Sequence, residues 1–198
     1  MKTIHSLKKI NRLPLFIIVA LLSVSLASSQ SLFEENNRNW ITKGDATWSF
    51  SNKELVGKVS GDGTGFVMTN KSYGDFVLEL EFKPDSTINS GVFVRCKNID
   101  ISSSDCHEMN IWDLHPNQDN RTGAIVTKAV PIAVVETLDK WNTYKIKNVG
   151  ERIRVWINGT LTADYTDQDL KEGYVALQAA GQGEIRFRNV KIKPVEAD

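Results

Sequence analysis

From about residue 40 onward, apolar and polar positions alternate with a period of two, and no stretch keeps a helical period for three turns. The alternation is clearest over residues 76–82, 91–95, 144–147, 152–157 and 184–188, each bounded by Gly, Asn, Asp or Pro. Short alternating runs with such boundaries predict half-buried strands. Asn158-Gly159, set between "RVWI" and "TLTADY", predicts a two-residue hairpin, because both turn positions need residues that tolerate positive φ. About ten to twelve strands with no helix between them predict an all-β fold, a two-sheet antiparallel β-sandwich of the jelly-roll kind. There is no internal repeat, low-complexity tract or linker.

The first residues do not belong to that pattern. Lys2, Lys8, Lys9 and Arg12 precede an apolar run from Leu13 to Ala27, and Ala27-Ser28-Ser29 offers a small-residue cleavage site. This reads as a secretory signal peptide over residues 1–29, its apolar run being short for a membrane span. Residues 30–198 then form a single domain of about 170 residues, enough for one real core. The whole chain has 24 basic and 24 acidic residues, and four of the basic ones lie in the leader, leaving 20 against 24. A mildly acidic exported chain without a basic run excludes nucleic acid as a partner, and no stable membrane insertion is expected after cleavage. The expected location is the periplasm or the extracellular space. There Cys96 and Cys106, the only cysteines, are expected to form a structural disulfide. The nine residues between them match no common zinc spacing.

Strand parity shows which side chains share a face. Val92 and Val94 point one way, with Gly91, Phe93 and Arg95 opposite. Met109 and Ile111 oppose Glu108, Asn110 and Trp112, while Val175 and Leu177 oppose Tyr174, Ala176 and Gln178. Three strands thus give one apolar row each to the core. The other rows mix aromatic rings with a guanidinium, a carboxylate and two amides, a combination suited to sugar. Rings cover C–H faces and planar polar groups bond hydroxyls. The structural alternative places Trp112 and Phe93 under a loop as a satellite core.

The same residues carry a resemblance. "GDFVLELEFKPDSTINSGVFVRC", "HEMNIWD", "RTGAIV", "WNTYKIKNVGERIRVWINGTLTADY", "GYVALQ" and "IRFRNVKIKP" follow one another as in the bacterial 3-keto-disaccharide hydrolase domain family. That family is also described as 3-keto-glucoside 1,2-lyase and 3-keto-2-hydroxy-glucal hydratase. Its marks include Asn89, Ser90, Gly91 and Arg95, and the match runs over roughly residues 40–195, a whole domain. Two positions depart from it: His107 stands where the family often has Tyr, and Asn110 where it often has Gln. The resemblance implies a concanavalin-like jelly roll and a 3-keto-glucoside substrate. The keto group acidifies the C2 proton, so a base removes it, the enolate is stabilised and the C1 group leaves. Water added to the product completes a net hydrolysis.

Such chemistry needs a base, a stabiliser and an acid. Glu108 or His115 suits the base, Arg95 and Lys128 the stabilising charge, and Asp113 either orients His115 or serves as the acid. Asn89, Phe93, Asn110, Trp112, Tyr174 and Gln178 are the expected substrate-binding residues, and His107 is read as structural. No cofactor is assigned, and a divalent metal held by Glu108, Asp113 and a histidine in place of the cation stays open. Two other readings stay open. Glu108-x-Asn110-x-x-Asp113 resembles the acidic strand of retaining jelly-roll endo-glucanases, in which two carboxylates flank the bond. A non-catalytic carbohydrate-binding or laminin-G-like module would use the same face without turnover.

Overall fold

The computed structural model describes residues 28–32, 40–102 and 104–195. The expected leader lies outside the described residues except for its last two. Eleven strands run in the order β1 (Gln30–Ser31), β2 (Trp40–Gly44), β3 (Thr47–Ser51), β4 (Glu54–Thr69), β5 (Phe76–Pro84) and β6 (Ile88–Cys96). They continue as β7 (His107–Ile111), β8 (Asn142–Val149), β9 (Arg152–Ile157), β10 (Thr160–Thr166) and β11 (Tyr174–Pro194). Among the described residues the one helical turn is a 3-10 turn at Gln118–Asn120, and no helix is long and apolar enough to cross a membrane.

Two strands are long enough to serve both sheets. Residues 176–181 of β11 pair with 63–68 of β4 on one side and residues 174–181 with β6 on the other, whereas residues 183–187 pair with 55–59 of β4 and residues 185–194 with β5. The register breaks between Gly181 and Gly183, whose φ values are +73° and +112°. A β-carbon on Gly183 would fall 2.4 Å from the Asp85 carboxylate, which here accepts the N–H groups of Thr87, Ile88 and Glu184. Only glycine fits both the backbone angle and that approach. On one side of the break lies a leaf of β2, β4, β11, β6 and β7; on the other, a leaf of β3, β4, β11, β5, β8, β9 and β10. All pairings are antiparallel. This is the all-β jelly-roll sandwich that the alternation predicts.

The parity assignment holds for the core rows. Val92, Val94, Met109, Ile111, Val175 and Leu177 are all buried, and they pack with Phe76, Leu78, Phe82, Ile146, Val155 and Phe187 of the second leaf. Burying each such side chain contributes roughly 1.5–3 kcal/mol before chain entropy is counted. Tyr144 is also buried there, and its hydroxyl donates to the Asn110 carbonyl at 3.2 Å, tying β8 to β7. Asn158 and Gly159 have φ of +50° and +80°, as a type I′ hairpin requires, and Asn158 Oδ1 accepts the Thr143 N–H. Cys96 and Cys106 form the expected disulfide, which closes the loop between β6 and β7.

Candidate functional site

The outer face of the first leaf is built row by row from the register. One row runs Ile41, Met68, Ala176, Phe93, Glu108, and the next runs Lys43, Phe66, Gln178, Gly91, Asn110. Asn89 follows beside Ala180. Phe66 and Phe93 meet edge to face at 5.4 Å. The disulfide-closed loop packs Ile101 against the cluster of Met68, Phe93, Cys96, Cys106 and Ala176, which Tyr174 also joins. Asp100 on that loop pairs with Lys43 at 3.5 Å. This face is therefore polar in its middle and covered at one end by apolar groups.

Glu108 lies where those two characters meet. Its carboxyl leans over Gly91: a β-carbon there would sit 3.1 Å from Glu108 Oε1, 3.2 Å from its Cγ and 3.3 Å from the Phe93 ring. No hydrogen bond or ion pair to the carboxyl exists among the described residues. Burial alone pushes its pKa up to about 7. Directly across Gly91 stands Gln178, whose Oε1 is buried without a partner. Its backbone carbonyl is held by Ser90 Oγ at 2.6 Å. A half-buried, unpartnered carboxyl facing an unsatisfied amide can accept a proton from one ligand atom while the amide holds another. Asn110, by contrast, is engaged: its Nδ2 donates to the Asn120 carbonyl and its Oδ1 accepts the Ile111 N–H.

The structure separates several residues that the sequence reading grouped. Arg95 leaves the Phe93 row because β6 bulges there; the register passes from Tyr174–Cys96 to Ala176–Phe93, and Arg95 has φ +52°. Its guanidinium is fully buried and donates to the Gly150 and Leu170 carbonyls and to Asp75, each at 2.8 Å. Burial opposes its charge, and Asp75 and Asp167 support it. His107 is buried on the same side and bonds Asp167 at 3.2 Å. Burial lowers the His107 pKa despite that carboxylate. Lys128 is exposed, and its charge acts on His107 and Asp167. Arg95 and Lys128 thus sit with a structural charge network and do not share the Glu108 row.

Asp113 is also occupied. Its two oxygens accept the Thr137 N–H at 2.6 Å and the Thr137 hydroxyl at 2.8 Å, pinning the loop before β8. His115 Nδ1 accepts the Asn117 N–H at 3.0 Å, and its ring meets Trp112 edge-on at 4.5 Å. Both lie beyond the end of β7, where strand parity no longer applies. The set of Glu108, Asp113 and a histidine is not gathered, and among the described residues no group of three His, Cys, Asp or Glu side chains could hold a metal ion.

The 3-keto-alpha-glucoside-1,2-lyase-like domain matches this chain over residues 28–193. The chain belongs to that family. No curated protein matches it by sequence. Among solved structures it is similar to a candidate glycosyl hydrolase from Parabacteroides distasonis ATCC 8503, at 23% identity and TM-score 0.71, covering 85% of this chain and all of that one. A second candidate glycosyl hydrolase from the same strain shares 17% identity at TM-score 0.63, over 75% of this chain and 84% of the other. The carbohydrate binding module CBM66 from Bacillus subtilis shares 19% identity at TM-score 0.63, over 81% and 99%. At these identities the likenesses establish a common fold.

Within this lyase-like domain, the residue that sequence reasoning passed over is Gly91. It was legible as a mark of the family and as a member of the polar row. Its contribution is the space that it leaves, and only the placement of Glu108 and Phe93 shows what fills that space. Phe66 and Ile101, which help to desolvate the face, carried no sequence signal: one lies on the sixteen-residue β4, the other in a loop.

Proposed function

We propose that the outer face of the first leaf cleaves 3-keto-glycosides, with Glu108 as the general base. The observation that supports this most directly is the Glu108 carboxyl itself, unpartnered, half-buried and with its pKa raised to about 7. A base near neutrality combines a useful fraction of carboxylate with strong proton affinity. Glu108 takes the proton from C2, the C1–O bond breaks, and a C1=C2 double bond forms next to the C3 ketone. The negative charge that grows on the C3 oxygen is met by the side-chain N–H groups of Gln178 and Asn89, while Gln178 Oε1 accepts a sugar hydroxyl. Half-buried Tyr174 supplies apolar cover for the ring, while Phe93, buried under the disulfide-closed loop as a satellite core residue, desolvates Glu108 from beneath. The proton on Glu108 is returned to the departing oxygen or to solvent, and water adding H at C2 and OH at C1 gives net hydrolysis. Asp113, His115 and Arg95 support this arrangement through the loops and strand ends that they hold, and Lys128 adds positive charge near His107 and Asp167. The Cys96–Cys106 disulfide suits an oxidising compartment, and we place the activity outside the cytoplasm.

A retaining glucanase reading is weaker, since it needs a second carboxylate beside Glu108 and both Asp113 oxygens are bonded to Thr137. The deciding experiment incubates the protein with 3-keto-trehalose or a 3-keto-glucoside, and separately with the unoxidised parents. The expected result is aglycone release, with a 3-keto-2-hydroxy-glucal or 3-keto-glucose product, from the keto sugars alone. Sugar binding without product from any of them would replace this reading with a non-catalytic module.

A further inference from the structure

The second leaf has its own outer face, remote in register from Glu108. Over β5, β8 and β9 lies a trough of about 840 Å³ lined by Glu79, Lys145, Lys147, Arg154, Trp156 and Lys191, among others. Trp156 is half-buried on its β9 side, with Arg154 Cζ at 5.5 Å and Lys145 Nζ at 6.0 Å from the ring centroid. The acids of this face are already engaged: Glu79 pairs with Lys145 at 3.3 Å, and Glu81 bonds Arg188 and Asn189. Lys147, Arg154 and Lys191 have no carboxylate within ion-pair distance among the described residues. Arg154 lies across from Asp164 in the register, an acid already bound to Arg152 at 2.6 Å. In a chain with 24 basic and 24 acidic residues overall, cations still outnumber acids around this aromatic platform and give it a local positive field.

We propose that this trough is a second glycan site, selective for sugars that carry carboxylate or sulfate groups. The indole face of Trp156 stacks on the C–H side of a pyranose ring, while Arg154, Lys147 and Lys191 hold its anions. Adjacent strands spaced by about 4.8 Å put cations from different strands within reach of neighbouring groups on one sugar chain. Glu79 Oε2 lies outside the Lys145 contact and accepts a sugar hydroxyl, a hydrogen-bond donor that a nucleic-acid backbone supplies sparsely. A lipid surface would call for exposed apolar anchors. Among the described residues the exposed large hydrophobics are Ile99, Leu114, Val130, Ile132 and Val134, and none lines the trough. The site stands whether or not Glu108 performs the elimination.

Calorimetric titration of the full chain at low salt tests it, with polygalacturonate, chondroitin sulfate, neutral dextran, single-stranded DNA and phosphatidylglycerol vesicles as probes. At least one of the two acidic glycans should bind about tenfold or more tighter than dextran, weakening as salt rises, and the preferred one separates carboxylate from sulfate recognition. Trp156→Ala and Arg154→Gln should each weaken that binding about tenfold, the scale of one stacking or charge-assisted contact. Both variants should melt as the wild type does and leave 3-keto-glucoside turnover unchanged. Binding of dextran, DNA or vesicles as tight as that of both acidic glycans overturns the proposal. So does acidic-glycan binding that survives both substitutions.

Discussion

Replacing Glu108 by Gln separates the electrostatics of the site from its shape, because the amide mimics the protonated acid and cannot ionise. The carboxyl is raised from its ordinary 4.5 to about 7 by burial. At about 1.36 kcal/mol per pKa unit, that difference corresponds to at most ~3 kcal/mol. Glu108 keeps some contact with solvent, so screening reduces the effect to about 1–2 kcal/mol. The sign follows from proton binding. A carboxyl with a raised folded-state pKa binds its proton more tightly in the folded than in the unfolded chain. The stability linked to that proton is fully present below about pH 4.5 and is lost as pH rises through about 7. Glu108→Gln does not suffer this loss. The variant should match the wild type near pH 4 and exceed it by about 1–2 kcal/mol near pH 8, roughly 2–8 °C in Tm for a domain of this size. Calorimetric melts across that range measure the difference directly. In parallel, wild-type kcat/KM on a 3-keto-glucoside should rise through about pH 7, and the variant should lose about 10²–10⁴ in rate. Parallel stability curves for the two proteins between pH 4 and 8 would show that Glu108 is solvated like any surface acid, and the assignment of the base would fall with it.

Gly91→Ala should lower kcat/KM about tenfold or more with little change in Tm, because the new methyl displaces the carboxyl that leans over it; unchanged kinetics would mean that the carboxyl acts from another position. Arg95→Met should cost about 2–4 kcal/mol in urea unfolding, since it leaves the Gly150 and Leu170 carbonyls without their donor and Asp75 with the Gly150 N–H but no counter-charge. Turnover per folded molecule should survive, and its selective loss would return Arg95 to the site. Gly159→Val should destabilise the β9–β10 hairpin by about 1–3 kcal/mol, being strained at φ +80°, with activity per folded molecule retained. Asp113→Asn should cost about 1–3 kcal/mol through its bonds to Thr137, and any fall in rate should track the fall in folded fraction.

The strands, the hairpin and the disulfide were legible because each depends on a local rule: alternation, positive-φ tolerance and thiol pairing in an oxidising compartment. The outer row of Phe93, Glu108, Tyr174 and Gln178 was legible for the same reason. Arg95 was misplaced because parity assumes an unbroken strand, and a single bulged residue redirects every side chain after it. Asp113 and His115 follow the end of β7, where no period constrains direction. Their partners, Thr137 and Asn117, are set by loop packing that no spacing rule encodes. The Trp156 trough was missed for another reason. Its cations occupy alternate positions of strands whose polar rows look like ordinary solvated faces, and only the pairing of β9, β8, β5 and β11 shows that they gather on one face.

A base that must remain unpartnered until substrate arrives cannot be positioned by bonds to its own carboxyl. The structure places that burden on the backbone of β7. One edge of the strand pairs with β6, and the other is covered by the segment after Gly123, where Val126 donates to the Glu108 carbonyl at 2.9 Å. Behind the strand start, His107 is fixed to Asp167; toward the strand end, Asn110 is fixed to Asn120, and its carbonyl receives the Tyr144 hydroxyl. The residues on either side of Glu108 are therefore held by strong polar contacts, and Glu108 itself by none beyond its main chain. A held backbone beneath a free side chain limits the reorganisation needed when a proton moves, which is where catalytic electrostatics gains most. The Arg95–Asp75 pair belongs to the same logic. A buried ion pair adds little to net stability, and this one holds the end of β6 where the strand bulges at Arg95. Beyond the bulge the register sets Gly91 opposite Gln178, and the missing β-carbon of Gly91 leaves the space that Glu108 fills.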